Sequence, residues 1–220
     1  DKCSDYWSTI CSWHLSKELI RNTFSRQSIS ITWDFVEVNP FSDSSGSWSA
    51  MTNWVWKSLS NTPAFGKGYA SQKDASTQNL SENKIISTDP PYYDNIAYAD
   101  LSDFFYVWLR KSFKNIFPEL FNTLATPKKE ELVANPYRHG NKENAEFFFL
   151  QGMTKAMQRL AEISHKAFPI TIYYAFKQSE TKDSKGTSST GWETFLRSVI
   201  QAGLSITGTW PIRTELSNRM

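Results

Sequence analysis

From residue 84 to residue 210 the chain alternates short β-prone runs with longer amphipathic stretches, an order that few folds satisfy. Residues 84–88 (Lys-Ile-Ile-Ser-Thr) read as a short strand. A strongly apolar stretch over 100–113 follows, carrying Leu101, Phe104, Phe105, Val107, Trp108 and Leu109, and reads as a helix opening near Asp100 or Ser102. Over 144–167, Ala145, Phe148, Phe149, Met153, Met157, Leu160 and Ile163 recur at helical spacing. Residues 169–176, rich in β-branched and aromatic side chains, form the clearest strand in the sequence. Residues 192–202 read as a further helix stopped by Gly203, and 204–210 as a last strand ahead of Pro211. Strand, helix, loop, helix, strand, helix, strand predicts an α/β sheet with helical crossovers.

The region before residue 84 is less regular. Residues 15–28 show no clean period, and 29–38 alternate in a way that suits either a strand or a buried aromatic connector. Trp48, Met51, Val55 and Leu59 fall on one face of a helix expected over 48–59. After a break at Pro63, Gly66 and Gly68, residues 69–74 read as a short strand ending in an acid, and 76–83 as a polar linker. Between the two clearest strands, 114–143 is loop-rich and carries Lys128, Lys129, Arg138, His139 and Lys142. These cations are placed either to touch phosphates or simply to face solvent. The expected organisation is one domain of 220 residues, with 1–66 a connecting and helical region and 67–220 the core.

Composition narrows the classes. Aromatic residues make up 15% of the chain, a load that serves either a packed core or platforms for flat ligands. A net charge of +2 neither demands nor excludes a nucleic-acid partner. No apolar run is long enough to span a bilayer, so no membrane partner is expected. Two cysteines, Cys3 and Cys11, do not make a disulfide scaffold and fit a reducing, cytoplasmic setting. With His14 they lack both a usual zinc spacing and a fourth ligand, so no metal site is expected.

Chemistry concentrates at Asp89-Pro90-Pro91-Tyr92, directly after the 84–88 strand. In open α/β sheets ligands sit beyond the carboxyl ends of the strands, which is where Asp89 falls. Two prolines fix successive φ angles near about −65° and remove two backbone donors. Pro90 also holds Asp89 extended. Such a stiff turn lets the Asp89 carboxylate and the Pro90 carbonyl converge on the two hydrogens of one exocyclic amine, with the Tyr92 ring beside them. Adenine N6 needs that arrangement, because its lone pair is delocalised into the ring until the nitrogen is turned toward tetrahedral geometry. Holding the reactants in line accounts for much of the rate of such a transfer. A base inside a duplex must first be flipped out and stacked on an aromatic ring, for which Tyr92 is the candidate. A given tetrapeptide arises by chance in roughly one in a thousand chains of this length.

The likeness extends past four residues. Residues 87–96 (Ser-Thr-Asp-Pro-Pro-Tyr-Tyr-Asp-Asn-Ile) and 98–110 resemble the core of a large prokaryotic adenine-specific DNA methylase family whose members often carry a zinc-ribbon insert. Four shorter stretches are similar to the same family: 22–24 (Asn-Thr-Phe), 39–42 (Asn-Pro-Phe-Ser), 173–177 (Tyr-Tyr-Ala-Phe-Lys) and 208–215 (Gly-Thr-Trp-Pro-Ile-Arg-Thr-Glu). The resemblance implies a partial class I, Rossmann-like methyltransferase sheet and S-adenosylmethionine as donor. It makes Asp89, Pro90, Pro91 and Tyr92 the catalytic loop. It gives Asp74 and Ala75, with Asp89, a place against the cofactor. Tyr92, Tyr93, Asn95, Lys128, Arg138 and Arg213 become candidates for contact with a flipped adenine and its DNA.

One family feature is missing. Methylases of this type hold the methionine end of the cofactor with a loop of the form Phe-x-Gly-x-Gly, which in the family lies upstream of the region covered here. Phe65-Gly-Lys-Gly68 precedes the wrong strand and reads as a turn. The chain also starts at Asp1 rather than at methionine. The expectation is therefore a carboxyl-side piece of a catalytic domain that needs the upstream part of the same protein. Related tetrapeptides also serve RNA bases and glutamine amides, and a turn kept without a cofactor loop also suits a non-catalytic nucleic-acid binder. The sequence leaves these alternatives open. Without the glycine loop that lets a backbone approach the donor, these 220 residues should bind S-adenosylmethionine at best millimolarly by calorimetry. Micromolar binding would reveal a cofactor loop within residues 1–83.

Overall fold

A computed structural model describes residues 12–21, 39–44, 46–94, 96–175 and 190–212. The chain divides into two compact units, Asp1–Ala70 and Ser71–Met220. In the first unit β1 (Ser12–His14) pairs antiparallel with β2 (Leu19–Arg21), with Ser12 opposite Arg21. A 3-10 turn over Leu15–Lys17 joins them, and Glu18 closes it in the left-handed region at φ 48°. No periodicity announced this hairpin, because its strands are three residues each. Helix α1 (Trp48–Asn61) forms where the apolar spacing predicts it, and the Ser47 side chain caps it by accepting from the Ala50 N–H. It stops at Thr62, before Pro63, which disfavours helical geometry in the residue ahead of it. The strand expected over 29–38 lies outside the described residues.

The second unit mixes helices with a small parallel sheet. Strand β3 (Ser87–Thr88) is followed by α2 (Tyr98–Phe113), the short α3 (Pro136–His139) and α4 (Lys142–Ile163). Then come β4 (Thr171–Ile172) and α5 (Thr190–Gln201). β3 and β4 run parallel, with Ser87 opposite Thr171 and Thr88 opposite Ile172. Thr171 N–H donates to Ile86 C=O and Tyr173 N–H to Thr88 C=O, at 3.0 and 2.9 Å. A parallel bridge between Lys84 and Ser164 extends the alignment at its start. This is a mixed helix-and-sheet unit with a two-stranded parallel sheet, its elements in the predicted order as far as α5.

The expected strands are shorter in the structure, and two are absent among the described residues. Residues 69–74 form no strand. The Asp74 carboxylate accepts both the N–H and the hydroxyl of Ser76, at 2.7 and 2.6 Å, and this local turn replaces a ladder. Residues 204–210 also form no strand. There the Trp210 ring folds back over Gly208, where a Cβ would meet it at 3.1 Å. The strand expected over 169–176 is regular only at Thr171–Ile172.

Helix ends follow identifiable capping. Asn141 caps α4 by accepting from the Asn144 N–H at 2.7 Å. α2 begins at Tyr98, two residues before the acid expected to open it, and its Ala97 cap makes no side-chain bond. A distant residue supplies the acceptor: Glu131 Oε1 takes the Ala99 N–H at 2.9 Å. α5 ends in a Schellman arrangement. Leu204 N–H reaches Val199 C=O, Gly203 N–H reaches Ile200 C=O, and Gly203 sits at φ 81°.

The core lies along one face of α4 and the facing side of α5. Phe149, Met153, Met157, Phe195 and Val199 are buried, joined by Tyr93, Ala134 and Ala145. Phe149 is wholly inaccessible. Truncating it removes a buried ring and leaves a cavity, so Phe149→Ala should lower unfolding free energy by about 3–5 kcal/mol in a denaturant titration. Gly203→Ala forces a Cβ into positive φ and should cost about 1 kcal/mol by the same measurement.

Candidate functional site: the 89–93 turn

The turn begins where β3 ends. Asp89 is exposed, Pro90 is buried, and Pro91 and Tyr92 are half-buried. Because neither proline carries an N–H, the backbone hydrogen bonds that anchor the turn come from the next residues. Tyr93 N–H donates to the Tyr174 hydroxyl oxygen at 3.2 Å, and Tyr93 C=O accepts from Ala134 N–H at 2.8 Å. The Tyr93 ring is buried, edge-on to Phe149 at 5.2 Å. Gly191 lies against it, where an added Cβ would approach the Cβ, Cγ and Cδ1 of Tyr93 to 3.0 Å.

The Tyr92 hydroxyl donates to Asp89 Oδ1 at 2.9 Å. Its ring meets the Tyr174 ring edge-on, with centroids 5.6 Å apart and planes at 81°. Asp89 and Tyr92 are thus held as one unit. A carboxylate offers about four lone-pair sites, so a single phenol leaves acceptor capacity for an amine. A second phenol faces the same carboxylate: burial, and then the negative charge of Asp89, raise the Tyr98 phenol above its ordinary value, while a hydrogen bond with the Tyr92 backbone acts the other way. Burial, with the charges of Glu146 and Asp94, pushes Tyr93 up to about 12. Burial does the same to Tyr174, also to about 12. All three therefore stay neutral hydrogen-bonding phenols at physiological pH.

Tyr98 and Tyr174 were not among the candidate residues read from the sequence. Their signal was present, since both fall in the stretches that resemble the methylase family, yet aromatic residues default to core. Only the parallel pairing of β3 and β4 sets Tyr174 beside the turn.

The other candidates sit elsewhere. Asp74 and Ala75 are exposed, and the Ser76 hydrogen bonds hold the Asp74 carboxyl below its usual range. Lys128 and Arg138, expected to reach DNA phosphates, are engaged within the protein. Lys128 Nζ lies 2.6 Å from Asp103 Oδ2. Arg138 bridges Asp100 at 2.6 Å and Glu131 at 2.5 Å, with its side chain only 15% exposed. Burial opposes the Arg138 charge, but the two carboxylates outweigh it and raise its pKa. Both cations are thus paired with carboxylates of the same unit. Asn95 and Arg213 lie outside the described residues, as do Cys3 and Cys11. Among the described residues no group of three or more His, Cys, Asp or Glu converges on a metal position.

The acid expected to meet the cofactor sits in a local turn rather than at a strand end. Asp74 no longer closes a strand, and its Oδ1 is taken by Ser76. The glycines at 66 and 68 have open space at their Cβ positions. Comparison with protein-family models, with curated proteins and with solved structures finds no match for this chain.

The ion pairs give a pH signature. Hydrogen bonds from Lys128 and Thr126 hold the Asp103 carboxyl down to about 2, below its unfolded value of about 3.9. The pairing therefore contributes stability at pH above about 4 and loses it as pH falls through about 2. Both side chains are about one-third exposed, so solvent screening keeps the contribution small. Urea titrations of wild type and Asp103→Asn should differ at pH 5 and converge toward pH 2. A constant difference across that range would assign the effect to another group.

Proposed function

We propose that residues 89–92 form the amine-holding turn of an adenine-N6 methyltransferase acting on DNA, within a partial Rossmann-like domain. The observation that supports this most is the Asp89 carboxylate at the carboxyl end of a parallel strand, tied by Tyr92 into a proline-stiffened turn. Asp89 accepts one N6 hydrogen and the Pro90 carbonyl the other, and the Tyr92 ring stacks on the extruded base. With both hydrogens held, the nitrogen lone pair is turned out of conjugation and toward an incoming methyl group. No strong base is needed before transfer, and Asp89 is placed to take the proton that the methylated amine sheds. The resemblance names S-adenosylmethionine as donor, with the glycine loop for it outside these residues. The family likeness also makes a prokaryotic DNA-modifying role the natural setting.

The acceptor half of this reading can be tested without a donor. A single-stranded oligoadenylate needs no flipping, so the chain should bind it more tightly than oligothymidylate by fluorescence anisotropy. Asp89→Ala should remove most of that preference, since a charged hydrogen bond is worth about 1.5–3 kcal/mol. Tyr92→Ala should weaken binding to oligoadenylate by about 1–3 kcal/mol through lost stacking, and Tyr92→Phe should retain most of it. Equal binding of the two oligonucleotides by the wild-type chain would sink the proposal. If Phe at 92 proved as damaging as Ala, the hydroxyl rather than the ring would be the functional group.

A further inference from the structure

We infer that Tyr174 is the positioning residue of the 89–93 turn: its hydroxyl continues the β3–β4 pairing where the prolines cut it, and its ring sets the angle of Tyr92. This deepens the amine-holding reading and rests on it for chemistry, though not for geometry. Tyr173 N–H bonds Thr88 C=O at 2.9 Å, so main-chain pairing runs to that point. The next rung of a parallel ladder calls for the N–H of residue 90, which a proline lacks. One residue past Tyr173, the Tyr174 phenol oxygen accepts the Tyr93 N–H at 3.2 Å, a bond between residues 81 positions apart. A side chain thus supplies the link that the backbone cannot.

The phenol is itself held rigidly. Its ring stacks on Phe195 with centroids 4.0 Å apart and planes 10° from parallel, and lies 5.9 Å from Trp192. Both partners stand on α5, and Phe195 is buried. From this seat the Tyr174 ring meets that of Tyr92 edge-on at 5.6 Å and 81°. Tyr92 in turn carries the hydrogen bond to Asp89. Position therefore passes from α5 through Tyr174 to both the backbone and the aromatic wall of the turn. Because burial keeps Tyr174 neutral, it acts as an acceptor across the ordinary pH range.

Tyr174→Phe keeps the ring and its stacking, so the fold should survive while the acceptor is lost. Amide hydrogen exchange read by nuclear magnetic resonance is the direct measurement. The Tyr93 amide should exchange about tenfold faster in the variant, the size expected for one net hydrogen bond. The Phe149 and Met153 amides in α4 should be unchanged. In the same variant the preference for oligoadenylate over oligothymidylate should fall, while Tyr174→Leu, which also removes the stacking ring, should abolish it. Unchanged exchange at Tyr93 would overturn the proposal, as would equal acceleration at all three amides, which marks a merely structural role. Selective acceleration with an undiminished oligoadenylate preference would overturn it too. If wild type shows no such preference, the amine-holding function fails, and the three amides alone then decide whether Tyr174 sets the turn.

Discussion

Parallel pairing at two positions, Ser87 with Thr171 and Thr88 with Ile172, is the constraint on which the rest of the second unit depends. Strands this short gain little from their own hydrogen bonds and are held by what packs against them. Here that support comes from α4 and α5, whose buried Phe149, Met153, Phe195 and Val199 close over the ends of the strands. The pairing brings residue 89 and residues 173–174 to one edge of the sheet. A chemically equipped turn and the aromatic residue that holds it are thereby joined across most of the unit's length. Remove the pairing and neither the Asp89 carboxylate nor the Tyr92 ring has a fixed direction.

Electrostatics in this unit work inward. Segment 126–138 is fastened to the opening turns of α2 by Thr126 and Lys128 on Asp103 and by Arg138 on Asp100, and Arg138 also pairs with Glu131 within the segment. Glu131 does two tasks, pairing with Arg138 and capping the Ala99 N–H. The helix N-terminus therefore depends on a residue more than thirty positions away rather than on its own flank. A loop rich in cations looks in sequence like a surface for phosphates; in three dimensions two of those cations neutralise carboxylates that the helix would otherwise expose.

Much of the fold was legible because long helices announce themselves. The periodic apolar residues of α4 and the Gly203 stop of α5 fixed those elements to within a few residues. The parallel order followed from their alternation with β-prone runs. What escaped has physical causes. The β1–β2 hairpin is too short to leave a period. The strand expected at 69–74 gave way to the local contact of Asp74 with Ser76, which sequence patterns do not weigh against an absent neighbouring strand, and residues 204–210 pair with no strand among the described residues. At the site, the tetrapeptide could be found in one dimension because its stiffness is written into two prolines. Tyr174 could not be separated from other aromatic residues, since its contact with the turn arises from proximity across the sheet.

The contact between Gly191 and Tyr93 has a consequence for how this chain can change. The first turn of α5 passes so near the Tyr93 ring that the two positions share a single volume. A methyl group at 191 would lie 3.0 Å from Cβ, Cγ and Cδ1 of Tyr93, so one of the two must yield by a few tenths of an ångström, and outward movement of α5 would carry Phe195 away from Tyr174. Position 191 and position 93, almost a hundred residues apart, are therefore coupled through this contact. Among sequences sharing this architecture, a side chain gained at the first should appear together with a compensating adjustment around the second.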